Sequence, residues 1–271
     1  MKKILVVNGE KYWQDVLPDF EVVQKSIQDT SWVLKGGKLF VIDSNGVFLP
    51  DGILWRVGAI KPSEIQTTAL NLIDLADIPC VNSAKTLKIG FDRLSMLSAI
   101  KKQELPVIDF NVVTKSTLLK NIQIDFPFVV KVGNYHGGYG KVLIEGEKKW
   151  QDIKDLLFGT NDYITIEPYI NYTRDIRYIA IQDKVWAMSR RGKYWKANVR
   201  TTDYKEIIPQ ESLVKSLKKL QHEIEADILA IDILEEANGS IHIVEYNDMP
   251  GLSGFTDELK YELAEVLRRK L

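Results

Sequence analysis

The chain has 271 residues, 45% of them hydrophobic and 27% charged, enough for one large or two to three small globular domains with real cores. Its 36 basic and 37 acidic residues leave a formal net charge of −1, which argues against an electrostatic nucleic-acid or membrane binder. The single cysteine, Cys80, excludes an internal disulfide framework and suits a reducing compartment.

The opening "MKKILVVN" has too short an apolar run for a signal peptide, and no run reaches the length of a membrane span, so the expected location is the cytoplasm. "KILVVNG" reads as a buried first strand, "KLFVIDSNGVFL" as strand, turn and strand, and "DGILWRVG" as another apolar strand. A helix is expected from about Pro62 to Ala76, with Pro62 in its first turn, and "IPCVNS" returns to a strand. Strands alternating with helices predict a mostly parallel sheet over the first 85 or so residues. Apolar residues at 94, 97 and 100 then mark a helical face, and Pro106 begins an extended segment.

"FVVKVGNYHGGYGKVLIE" (128–145) reads as strand, glycine-rich loop and strand, with Lys131 inside the first apolar run. It matches neither the P-loop nor the dinucleotide-binding pattern. Its bare backbone could gather N–H groups around an anion, or it could be a hairpin in which glycine supplies only positive φ. Further helices are expected near 115–121, 148–158, 209–225 and 256–270, with long strands in "IRYIAIQDKVWAMSRR".

The most informative stretch is "ILAIDILEEANGSIHIVEYNDMPGLSG" (228–254), two apolar strands around an Asn238-Gly239 turn. A two-residue loop there places Asp232 opposite Glu245, with Cβ atoms roughly 4.5–5.5 Å apart. Asn247 then shares their face, and His242 takes the opposite one. Two facing carboxylates repel, and a bound cation removes the penalty. Oxygen ligands from Asp232, Glu245 and Asn247 suit Mg2+, with Mn2+ as an alternative. On this reading, neutralising Glu245 leaves metal-free stability level or slightly higher. The three histidines and one cysteine form no consistent triad or zinc site.

A lysine in a strand, a glycine-rich loop and a later Asp…Glu-x-Asn cluster resemble the ATP-grasp fold. The match is closest to the RimK-type amino-acid ligases, through "EYNDMPGLSG" (245–254), "ILWRVG" and "FDRLSMLSAIKKQELPV". Synapsins are similar through "VVKVGNYHGGYGKV", "EPYI", "DIR" and "YWKAN".

The resemblance implies an α/β fold of three units: 1–88, 89–170 with the glycine loop, and 171–271 with the metal site. ATP would lie between the sheets of the last two. It implies that Lys131 and Lys141 approach the phosphates and that the loop carrying Gly137 and Gly138 folds over them, mobile without nucleotide. Glu167, Tyr169 and Ile170 would read adenine, Asp175 the ribose, and Lys196 and Asn198 the phosphates or metal. Arg190 would stabilise the transferring phosphoryl group, with Arg56 and Arg191 as substrate contacts. Arg93 stands where many relatives carry a second nucleotide-binding lysine. The implied activity is an ATP-dependent carboxylate–amine ligase that forms an amide through an acyl phosphate, acting on an amino acid or peptide. A peptide-crosslinking ligase and a synapsin-like ATP-binding regulator are the alternatives, and a homo-oligomer is compatible with all three.

Overall fold

In a computed structural model of the chain, residues 1–56, 61–192, 195–196 and 201–271 are described below. The N-terminal part contains β1 (Lys3–Val7), α1 (Trp13–Val16), β2 (Glu21–Lys25), β3 (Ser31–Lys35), β4 (Lys38–Asp43), β5 (Gly46–Phe48), β6 (Gly52–Trp55), α2 (Glu64–Leu75), β7 (Cys80–Val81) and α3 (Ala84–Gly90). Strands β2-β1-β6-β7 form an all-parallel sheet in that order. The near-continuous apolar runs of β1 and β6 follow from burial on both faces. A separate antiparallel meander, β3-β4-β5, was not foreseen as a sheet of its own. The second helix begins at Glu64 rather than Pro62, because Ser63 and Gln66 close a capping box at its N-terminus.

Helix α4 (Arg93–Lys102) follows, capped by the Asp92 side chain. Next come β8 (Asn111–Val113), β9 (Phe128–Val132), β10 (Lys141–Ile144), α5 (Glu147–Leu157) and β11 (Ile164–Pro168). These four strands make an antiparallel sheet in the order β10-β9-β11-β8, with its own core around Phe128, Val130, Trp150 and Ile164.

The last part comprises β12 (Tyr172–Ile181), β13 (Lys184–Gly192), β14 (Thr201–Ile207), α6 (Glu211–Glu223), β15 (Ile228–Glu236), β16 (Ile241–Asn247) and α7 (Glu258–Lys270). Its strands form one antiparallel sheet, β14-β13-β12-β15-β16. One face is covered by α4 and α6 through Met96, Leu97, Leu217 and Leu220. Part of the other face packs on α7 and the N-terminal sheet, in a core that joins Ile4 and Leu54 to Ile179, Ala230 and Leu263. The first and last parts therefore share a hydrophobic core. Asn82 joins them as well: its amide accepts from the N–H groups of Asp227 (2.6 Å) and Ile228 (2.9 Å) and donates to the carbonyls of Ile228 (2.8 Å) and Asp248 (2.5 Å).

Among the described residues no helix is long and apolar enough to cross a membrane.

Candidate active site

The two antiparallel sheets face each other across a cleft lined by residues of both. Its walls combine apolar residues, Ile108, Val129, Ile170, Leu234 and Val244 among them, with the charged side chains of Lys131, Lys141, Glu167, Asp175, Lys196, Asp232 and Glu245. Apolar walls with a few convergent charges suit a ligand that has a flat apolar body and a charged tail.

Asp232 pairs directly with Glu245, as the sequence predicts, but by another route. The hairpin loop has three residues: Glu236 N–H donates to the Ser240 carbonyl at 2.9 Å, and Gly239 adopts φ +85°. That alone would shift the register by one. A bulge at Val244 shifts it back, since Ile233 pairs with Ile243 while Asp232 pairs with Glu245. The two departures cancel. The extra loop residue places His242 opposite Leu234 rather than Glu235, and so on the face of Asp232 instead of the opposite face expected from the sequence; there it bonds Glu236 at 2.7 Å.

The carboxylates are not left to repel each other. Arg177 grips Asp232 with two hydrogen bonds of 2.7 Å each, and Arg190 adds a 3.1 Å contact. Glu245 Oε2 lies 3.3 Å from Lys141 and 3.8 Å from Arg93. Burial would raise the Glu245 pKa, but the charges of Lys141, Arg93 and Lys131 hold it well below the usual carboxylate range. The expectation that neutralising Glu245 costs no stability rests on repulsion from Asp232, whereas the nearest charged contacts of Glu245 are cations.

Lys131 is 3% exposed in β9. Its Nζ lies 2.5 Å from Glu167 Oε2 but has no well-aligned hydrogen bond. Burial, countered by Glu167, pushes its pKa down to about 8. Asp175 is held by Arg190 through Nε at 2.7 Å and through Nη2; burial, despite Arg190, raises its pKa.

In the glycine loop Gly137 and Gly138 take φ of +65° and +80°, and hydrogen bonds join the loop to its surroundings. Lys196 donates to the carbonyls of Gly138 (2.9 Å) and Lys141 (2.8 Å), and Val132 N–H donates to Gly140 (2.8 Å). Tyr169 N–H is bonded to Pro127 O at 3.2 Å.

Two of the predicted residues face elsewhere. Arg56 is 2% exposed, and Arg191 is exposed while its neighbour Arg190 is buried. Asn198 lies outside the described residues. Sequence reasoning gave Arg177 no definite partner and Arg93 no acidic one; charge pattern alone could flag both, but only the register identifies Asp232 and Glu245 as the groups they neutralise.

A sequence model of the RimK-like ATP-grasp domain matches residues 90–271. The chain belongs to the RimK-like ATP-grasp family. A probable alpha-L-glutamate ligase of Rhodopirellula baltica is 25% identical over 232 residues, 80% of this chain but 55% of that protein. The ribosomal protein bS6–L-glutamate ligase of Shigella flexneri is 27% identical over 231 residues, covering 81% of this chain and 75% of the relative. Among solved structures, a RiPP-associated ATP-grasp ligase of Chryseobacterium gregarium, in complex with ADP and a leader and core peptide, superposes with a TM-score of 0.70 at 12% identity, covering 100% of this chain and 98% of its own. The two-sheet cleft is thus that of the ATP-grasp fold.

For Mg2+, the donor chemistry fits. Asp232 and Glu245 face each other, and Asn247 Nδ2 lies 3.4 Å from Asp232, which leaves its carbonyl oxygen available. Among the described residues no group of three or more His, Cys, Asp or Glu side chains forms a metal cluster, so an ion would depend on this pair, the amide and its ligand's own oxygens.

Proposed function

We propose that the protein is an ATP-dependent, ADP-forming carboxylate–amine ligase acting on an amino acid or peptide. The observation that carries this reading is the convergence of Lys131, Lys141, Asp232 and Glu245 on one cleft whose walls are otherwise largely apolar, in a chain of this family. Relatives named as glutamate ligases support L-glutamate as one of the two substrates.

In this reading residues 1–88 help to form the substrate site, and residues 89–170 and 171–271 close on ATP from either side. Adenine lies against Tyr169 and Ile170, and the phosphates reach Lys131, Lys141 and Lys196. The substrate carboxylate attacks the γ-phosphate to give an acyl phosphate and ADP. An amine then attacks the acyl carbon, phosphate leaves, and the nitrogen loses a proton.

Nothing in this chemistry requires a protein nucleophile. The residues position the reactants and balance charge. Arg190, kept charged by Asp175 and Asp232, adds positive charge beside the transferring phosphoryl group. Asp232, Glu245 and Asn247 would hold Mg2+, which supplies further neutralisation of the phosphate oxygens.

The test is ADP release with L-glutamate and a panel of amines, amino acids and peptides, followed by mass spectrometry of the product. A gain equal to one condensation is expected. ADP release that no amine or carboxylate changes would refute the ligase reading.

A further inference from the structure

Strands β1 and β6 are neighbours in the parallel sheet, and the chain leaves them toward opposite edges, to β2 and to β7. In open α/β sheets such a reversal opens a crevice beyond the carboxyl ends of the two strands, where ligands bind. Glu10 follows β1 into this crevice, and Arg56 follows β6.

Arg56 is turned inward. Its stem passes so close under Gly9 that a Cβ there would lie 3.0 Å from Arg56 Cγ. Its guanidinium sits 5.4 Å from the Trp13 ring centroid, and Nη2 donates to the Pro250 carbonyl at 3.1 Å. Arg56 Nε is buried without a hydrogen bond, 3.6 Å from Glu10 Oε2. A ligand carboxylate could reach Arg56 only by displacing these partners.

Glu10 is the outward member of the pair. Its side chain is 36% exposed, against 2% for Arg56. Trp13 Nε1 donates to Oε2 at 2.9 Å, the oxygen that also faces Arg56, so both contacts orient the carboxylate from one side. The charge that the crevice presents outward is therefore negative. Its place is also right: Pro250, bonded to Arg56, is three residues from Asn247, at most about 11 Å of chain.

We propose that Glu10 binds the ammonium group of the amino-acid or peptide substrate, with Trp13 and Arg56 holding its carboxylate in position. The inference rests on the ligase reading for the identity of the ligand, and its test is independent of turnover. Calorimetry on the full chain saturated with ADP–Mg2+ compares each amino acid and dipeptide with its analogue lacking the ammonium, L-glutamate against glutarate among them. The ammonium compound should bind wild type about tenfold or more tightly than its analogue. In Glu10→Gln that preference should collapse toward unity while ADP affinity stays the same. Equal binding of both members of every pair, no binding of any amino acid or dipeptide, or an intact preference in Glu10→Gln would overturn the proposal. The wild-type comparison needs no variant to fold, and failure of the ligase reading would appear separately, as ADP release indifferent to substrate.

Discussion

Replacing Glu245 by Gln separates the two readings of the acidic pair. The change keeps the shape of the side chain and removes its charge. From sequence, the dominant effect is relief of repulsion from Asp232. In the structure, Lys141 at 3.3 Å and Arg93 at 3.8 Å lie next to Glu245, and Asp232 is already neutralised by Arg177. At an effective dielectric of about 20, each of those cation contacts amounts to roughly 4–5 kcal/mol before desolvation, and the charge of Glu245 acts on Asp232 less strongly than those of Arg177 and Arg190 do. Removing one partner from a buried cluster costs about 3 kcal/mol once the others relax. That corresponds to a fall of roughly 6–12 °C in melting temperature for a chain of this size.

The assay is thermal melting of both proteins in EDTA at neutral pH, with ADP release measured at saturating Mg2+. Glu245→Gln should melt lower and turn over slower by orders of magnitude. A variant that melts at or above wild type in EDTA would show that repulsion outweighs the cations and would refute the charge balance described above. Near-wild-type turnover would remove Glu245 from the metal site.

Three other perturbations follow. Lys131, with a pKa pushed down to about 8 by burial, should lose its charge as the pH rises past that value, so ADP affinity in wild type should fall above about pH 8 and be weaker but flatter in Lys131→Met; equal pH profiles would contradict this. The same lowered value means that the group disfavours the folded state below about pH 8, and that this penalty fades between there and its unfolded value near 10.4. Gly90→Ala would set a Cβ 2.0 Å from Asp248 Oδ2 and should cost roughly 2–4 kcal/mol, much of it recovered when Asp248→Ala is added, so additive costs in denaturant melts would exclude the clash. Lys61 holds Asp162 at 2.8 Å and lies 5.2 Å from the Tyr135 ring centroid, and these two partners pack against Gly133 and Gly140 in the loop. Lys61→Asp should raise hydrogen exchange over 133–141 a few-fold, and the swapped pair Lys61→Asp with Asp162→Lys should restore it; unchanged exchange would dismiss the coupling.

Local pattern made the outline of the fold legible. The long strands of the last sheet and helices α4 to α7 follow from period and turn chemistry. The pairing of Asp232 with Glu245 came out right although the loop length was wrong, because an extra loop residue and the bulge at Val244 offset each other. A bulge depends on which side chain the cleft needs, and Val244 lines it, so no local rule could have located it. The meander was only partly legible: "KLFVIDSNGVFL" contains its strands β4 and β5, but "SWVLK" (β3) is short and largely exposed, and its pairing depends on tertiary partners. The charged residues were found by type, but their partners were not. Arg56, expected to face substrate, is buried under Gly9, a contact that joins distant parts of the sequence.

The charge inventory of the cleft argues for the kind of ligand it suits. Arg93, Lys131, Lys141, Arg177, Arg190 and Lys196 stand in or directly behind it, against the carboxylates of Glu167, Asp175, Asp232 and Glu245. That leaves two positive charges in excess. His136 adds none at neutral pH, since burial pushes its pKa down. A lone divalent cation would meet this excess as repulsion and would compete with Arg177 and Lys141 for oxygens they already hold. A nucleoside triphosphate carrying its own Mg2+ has a net charge near −2 and meets the excess as attraction. Its phosphates would give the cations new partners and so free the carboxylates of Asp232 and Glu245 for the metal. The acids and bases of the cleft thus neutralise one another without ligand, and the small surplus favours a metal–polyphosphate over the metal alone.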